Sequence, residues 1–176
     1  YNNTDKGATF YLELPLLDIN EKAEATRLLQ KEAPIVNTTQ DLHFDCTGKT
    51  ILIVEDEKEL REYLIESFTG TFKKVYAADN AISALETCRK KQPSIIVSDV
   101  MMPQMDGFEL CRQIKNDIRI SHIPVILLTA RYDQTGITTG YKSGADSYIP
   151  KPFDLAFLKV VVGNILKNRE KIHSQY

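Results

Sequence analysis

Five short apolar runs punctuate residues 49–168, and the stretches between them carry a different period. Residues 51–54 (Ile-Leu-Ile-Val), 95–98 (Ile-Ile-Val-Ser) and 125–129 (Val-Ile-Leu-Leu-Thr) are rich in β-branched side chains, as a strand covered on both faces requires. Residues 74–78 and 147–150 are more polar versions of the same signal and predict strands nearer a sheet edge. Between the runs, residues 57–68 place Leu60, Leu64, Ile65 and Phe68 at helical spacing, and residues 80–90 do so with Ile82, Leu85 and Cys88. Residues 108–115 and 155–167 repeat the pattern. Strand alternating with helix, joined by right-handed crossovers, predicts an α/β domain: a doubly wound five-stranded parallel sheet with helices on both faces. Residues 131–144 contain Gly136, Gly140 and Gly144; two interior glycines cost about 1 kcal/mol each relative to alanine, so a weak, switchable helix is expected there.

The first 48 residues read differently. Residues 9–14 alternate like a strand with Phe10, Leu12 and Leu14 on one side, and Pro15 stops it. Residues 21–31 are rich in helix formers behind Asn20, and residues 34–48 have the polar, turn-forming mix of a linker, which places the main boundary near Gly48. Tyr1 is not followed by a basic-then-apolar leader, and the chain is expected to be a piece of a longer protein.

The 176 residues are 43% apolar, and 22 Lys and Arg against 24 Asp and Glu leave a formal charge of -2. No basic field is available for a phosphate backbone, so direct nucleic-acid contact is disfavoured. Apolar runs of about four residues fall far short of the roughly 20 that cross a bilayer, so no membrane span is expected. Cys46, Cys88 and Cys111 are odd in number and lack a paired spacing, which disfavours a disulfide framework or zinc site and suits a reduced, cytoplasmic setting. His43, His122 and His173 are scattered without a metal-binding pattern.

Ligands of a doubly wound sheet bind beyond the carboxyl ends of its strands. There the first predicted strand delivers Glu55 and Asp56, the third Asp99, the fourth Thr129 and the fifth Lys151. Carboxylates gathered together repel one another unless a cation joins them, and an all-oxygen set favours a hard ion such as Mg²⁺. Singly, each residue has a structural reading. Asp56 with Glu59 and Asp106 with Glu109 both have the spacing of a capping box. For Asp106, followed by Gly107, capping is the preferred reading; for Asp99, followed by Val-Met-Met-Pro, capping explains little.

Four segments then carry a family resemblance. Ile51-Leu-Ile-Val-Glu-Asp-Glu57, Ser98-Asp-Val-Met-Met-Pro-Gln-Met-Asp-Gly107, Leu128-Thr-Ala130 and Gly144-Ala-Asp-Ser-Tyr-Ile-Pro-Lys-Pro-Phe153 together resemble the receiver domain of two-component response regulators, in order and at fitting spacing. The resemblance implies a flavodoxin-like strand order 2-1-3-4-5. It implies that Asp99 is the phosphoacceptor, attacking a histidine kinase's phosphohistidine to form an acyl phosphate. Mg²⁺ would be held by Glu55, Asp56, Asp99 and the backbone carbonyl of Met101. Glu55 stands where Asp is commoner, and its extra methylene suits ligation through a water. Lys151 and Thr129 would contact the phosphoryl group, Tyr148 would be the switching aromatic, and Met101 and Arg131 would tune hydrolysis of the acyl phosphate. A cis Lys151–Pro152 bond is expected, aiming the ammonium into the pocket. Output would run through the fourth predicted helix, fifth strand and fifth helix, a face that also offers a homodimer contact.

Residues 7–15 resemble the last strand of a histidine-kinase ATP-binding domain, so residues 1–15 read as its remnant, 16–48 as a linker with a short helix, and 49–168 as the receiver. Residues 169–176 read as the start of an exit helix or linker. The parent would be a hybrid sensor kinase, and the kinase phosphohistidine domain, in the same or a neighbouring chain, its partner. Such a fragment would be a phosphoacceptor with at most self-phosphorylation and autodephosphorylation activity. Two rivals stay open: a Mg²⁺-dependent aspartyl-phosphate phosphatase, which would want a second carboxylate where Met101 stands, and a receiver-like interaction module that works without phosphorylation. A flavin-binding domain is disfavoured, because three acids would meet the flavin phosphate without compensating basic groups.

Overall fold

The computed structural model describes residues 46–130 and 143–173. Five parallel strands, β1 (Cys46–Val54), β2 (Phe72–Ala78), β3 (Ile95–Asp99), β4 (Val125–Thr129) and β5 (Ser147–Pro150), form one sheet in the order β2-β1-β3-β4-β5. The helices bounded within the described residues are α1 (Lys58–Phe68), α2 (Ala81–Lys91), α3 (Gly107–Asn116) and α4 (Leu155–His173). The predicted fold class and strand order are the ones observed, and the two more polar strands, β2 and β5, are the edges.

The sheet's pleat sorts its side chains into two cores. Leu52, Val54, Ile96, Val125 and Leu127 pack with Ala84, Leu85 and Cys88 of α2 and Leu110, Cys111 and Ile114 of α3. Their neighbours Ile51, Ile53, Ile95, Val97, Ile126, Leu128 and Ile149 face the other way, onto Leu64 and Phe68 of α1 and Leu158, Val162 and Leu166 of α4. Central strands buried on both faces have no polar alternation to show, which is why they appear in the sequence as continuous apolar runs. All three cysteines are buried and free, and burial pushes the Cys88 thiol up to about 12. Among the described residues no helix is long and apolar enough to cross a membrane.

One boundary differs from expectation. β1 starts at Cys46 rather than near residue 51, with an irregular register between Cys46 and Thr50. The polar Thr47-Gly48-Lys49-Thr50 conceals this extension, while Cys46 is buried in the α1-side core. Beyond residue 167, where its apolar pattern ends, helix α4 runs on to His173. Lys49 pairs with Glu170 at 2.8 Å, and Arg169 donates to Asp146 at 2.8 Å and to the His122 carbonyl, so long-range contacts hold a stretch whose apolar pattern has faded. The readings for residues 1–45, and for residues 131–142 including Arg131, lie outside the described residues.

Candidate functional site

The strand ends meet at one rim of the sheet. The Glu55 N–H donates to the Ala78 carbonyl at 3.1 Å, carrying the β1–β2 ladder one residue past the strand. This turns Glu55 inward, where it is 1% exposed, and leaves Asp56 exposed. Asp99, the last residue of β3, is 4% exposed. One carboxylate oxygen each from Glu55, Asp56 and Asp99 lies within 4.8 Å of the others. Lys151, just past β5, reaches across with Nζ 2.9 Å from Glu55 Oε2 and 3.1 Å from Asp99 Oδ2. Its N–H donates to the Thr129 carbonyl at 2.7 Å, and the Lys151–Pro152 bond is cis.

Electrostatics follow from this crowding. Burial raises the Glu55 pKa most and the Asp99 charge raises it further, while Lys151 draws it back only in part. Burial opposes the charge on Lys151, but its bonds to Glu55 and Asp99 outweigh that and lift its pKa above the ordinary value. One ammonium thus neutralises part of a three-carboxylate cluster, and Asp99 Oδ1 remains buried with no hydrogen-bond partner among the described residues. A buried unpartnered carboxylate oxygen is costly unless something satisfies it. The all-oxygen donor set and this orphaned atom fit a hard divalent cation. The Met101 carbonyl is a further oxygen without a hydrogen bond among the described residues.

Thr129 ends β4 beside β3, 5% exposed, at the same rim. Met101 follows the rim in the β3–α3 loop and is 55% exposed. Tyr148 on β5 stacks on Phe108 of α3 at 6.1 Å between ring centroids. Its hydroxyl is buried without a well-formed hydrogen bond; burial raises its pKa, and nearby Ser143 offsets part of that rise. Asp106 is the α3 N-cap, accepting from the Glu109 N–H at 2.7 Å, as the capping reading requires. Asp56 is not a cap: Glu57 occupies that position and uses no side-chain hydrogen bond.

Sequence reasoning missed two supports of the site. A Cβ on Gly107 would lie 2.2 Å from the Asp99 carbonyl oxygen, so only glycine lets α3 begin against the β3 end. The pairing of Asp106 with Gly107 suggested a turn but not this approach. The other is Arg61, whose guanidinium donates to the Glu55 and Asp56 carbonyls at 2.7 and 3.0 Å. A basic residue close behind an acidic pair at a helix start was its signal.

Residues 51–162 match the response regulator receiver domain family. The chain is 41% identical over 140 residues to Histidine kinase P4 of Formosa agariphila, covering 80% of this chain and 10% of that protein. It is 37% identical over 122 residues to the transcriptional regulatory protein AfsQ1 of Streptomyces coelicolor, covering 69% of this chain and 53% of that one. Among solved structures, the signal receiver domain of a signal transduction histidine kinase from Syntrophus aciditrophicus superposes with a TM-score of 0.65 at 35% identity, covering 69% of this chain and 92% of that one. The chain therefore belongs to the receiver-domain family of two-component response regulators. It spans a tenth to about half the length of these curated relatives.

Proposed function

We propose that this receiver domain takes a phosphoryl group from the phosphohistidine of a histidine kinase onto Asp99. The observation that carries the reading is Asp99 itself: a buried carboxylate with one oxygen on Lys151, the other unpartnered, and two further carboxylates beside it. An Asp99 oxygen attacks phosphorus, the P–N bond breaks, and its electron pair stays on the departing imidazole, which takes up a proton. Phosphoryl transfer asks mainly for positioning and charge neutralisation. Lys151 can pass from its carboxylate partners to an equatorial phosphoryl oxygen, and the Thr129 hydroxyl stands at the same rim. Glu55, Asp56, Asp99 and the Met101 carbonyl would hold Mg²⁺, which when bound offsets the negative charge shared by the acceptor and the incoming group.

The exposed thioether of Met101 offers no proton to a leaving group and no activation to water. This favours a lasting acyl phosphate over phosphatase turnover. The donor would be a kinase domain in the same or a neighbouring chain of a cytoplasmic hybrid sensor, with residues 49–168 as its receiver. Tyr148 and the stretch 131–144 would relay the state of Asp99 to an output or homodimer face. Treatment with acetyl phosphate and Mg²⁺, borohydride reduction and peptide mapping test the acceptor: Asp99 is expected to become homoserine. Reduction at another carboxylate instead would contradict the assignment.

A further inference from the structure

Asp56 precedes α1 where an aspartate ordinarily caps a helix, with Glu59 three residues on. The structure uses it otherwise. Glu57 is the N-cap, in extended backbone at φ -71° and ψ 117° with no side-chain cap. The Asp56 carboxylate makes no hydrogen bond among the described residues. What holds this turn is Arg61. The two N–H bonds of its Nη1 go to the Glu55 carbonyl at 2.7 Å and the Asp56 carbonyl at 3.0 Å. The Glu55 N–H is held from the other side by Ala78. The sheet thus fixes the peptide before Glu55 and Arg61 the two that follow it, and with them the directions in which the two acidic side chains leave the backbone.

Placement near a helix N-terminus is electrostatically poor for a cation, because the helix dipole favours acids there. The bonds to two carbonyls supply a reason for Arg61 to sit there. It forms no ion pair with Glu55 or Asp56 among the described residues, so Arg61 itself neutralises neither carboxylate. We infer that Arg61 is a positioning residue: by holding the Glu55 and Asp56 carbonyls, it preorganises the acidic pair for a divalent cation that it does not touch. The inference rests on the Mg²⁺ reading above. Outer groups of this kind typically account for 10- to 100-fold in metal affinity.

Calorimetric titration with Mg²⁺ and amide exchange of the metal-free protein test this in wild type, Arg61→Ala and Arg61→Lys. Arg61→Ala is expected to bind Mg²⁺ about tenfold more weakly, and Arg61→Lys to recover part of the loss. In the metal-free Arg61→Ala protein, amides of Glu55, Asp56 and Glu57 should exchange faster while those of β3 and β4 do not change. Wild-type affinity in Arg61→Ala, or faster exchange spread evenly over the sheet, overturns the inference. If wild type itself binds no Mg²⁺, the cation reading fails instead, and the exchange pattern alone decides whether Arg61 holds the turn. Should Arg61→Ala not fold, Arg61→Gln takes its place, and unchanged Mg²⁺ affinity there overturns the inference equally.

Discussion

Lys151 bridges two buried carboxylates that would otherwise face each other, Glu55 at 2.9 Å and Asp99 at 3.1 Å. Replacing it with methionine keeps the apolar stem and removes the only ammonium paired with either carboxylate among the described residues. Breaking a fully buried pair costs about 3 to 5 kcal/mol; with Lys151 partly exposed, about 2 kcal/mol is the expected loss for Lys151→Met. Saturating Mg²⁺ should restore part of it, since a cation would replace the lost positive charge and binding to the folded state alone is stabilising. Urea unfolding with and without Mg²⁺ measures both. A destabilisation indifferent to Mg²⁺ would mean that the carboxylates do not share a cation site. These residues were legible because each follows a strand of recognisable pattern. Arg61 and Gly107 were not, because their roles lie in contacts to main-chain oxygens, which no side-chain pattern records.

At the scale of elements, caps separate structural acids from functional ones. The Asn80 side chain accepts from the Ser83 N–H at the start of α2, and Asp106 does the same for Glu109 at the start of α3. Asp106→Ala should therefore cost about 1 kcal/mol of stability, typical of a lost N-cap, and leave phosphoryl acceptance by Asp99 unchanged. Thermal unfolding and a phosphorylation time course check this; loss of acceptance in a folded variant would place Asp106 in the site. Element types and edge strands could be read from period and polarity. The start of β1 could not, because the Thr47-to-Thr50 segment is too polar to show as strand. For the last turns of α4 the sequence did not reveal the contacts that hold them, to Lys49, Asp146 and the His122 carbonyl, all distant in sequence.

Across the whole molecule, Asp146 ties the far ends of several elements together. Its Oδ2 accepts from Lys115 of α3 at 2.7 Å and from the Val125 N–H of β4 at 2.9 Å, and its Oδ1 from Arg169 of α4 at 2.8 Å. Burial alone would raise the Asp146 pKa, but these donors outweigh it and hold the pKa below the ordinary value. A depressed folded-state pKa stabilises above the unfolded value of about 3.9 and is lost as pH falls through the folded value. Asp146→Asn should cost about 1 to 2 kcal/mol at neutral pH, discounted for a side chain in part solvated. The gap from wild type should narrow as pH falls from the unfolded value through the lower folded one; a gap constant with pH would show that the charge on Asp146 is not its source. The same long-range assembly makes the site, since Glu55 and Lys151 meet only when the first and last strands are in place. Sequence spacing implied that rim, but not that Lys151 bridges two acids or that one Asp99 oxygen lies buried and unpartnered. Intact-mass measurement after incubation with acetyl phosphate tests the central claim most directly. The account predicts one phosphoryl-sized gain in wild type with Mg²⁺, none after chelation of Mg²⁺, and none in Asp99→Asn; an equal gain in Asp99→Asn, or none in wild type with Mg²⁺, would contradict it.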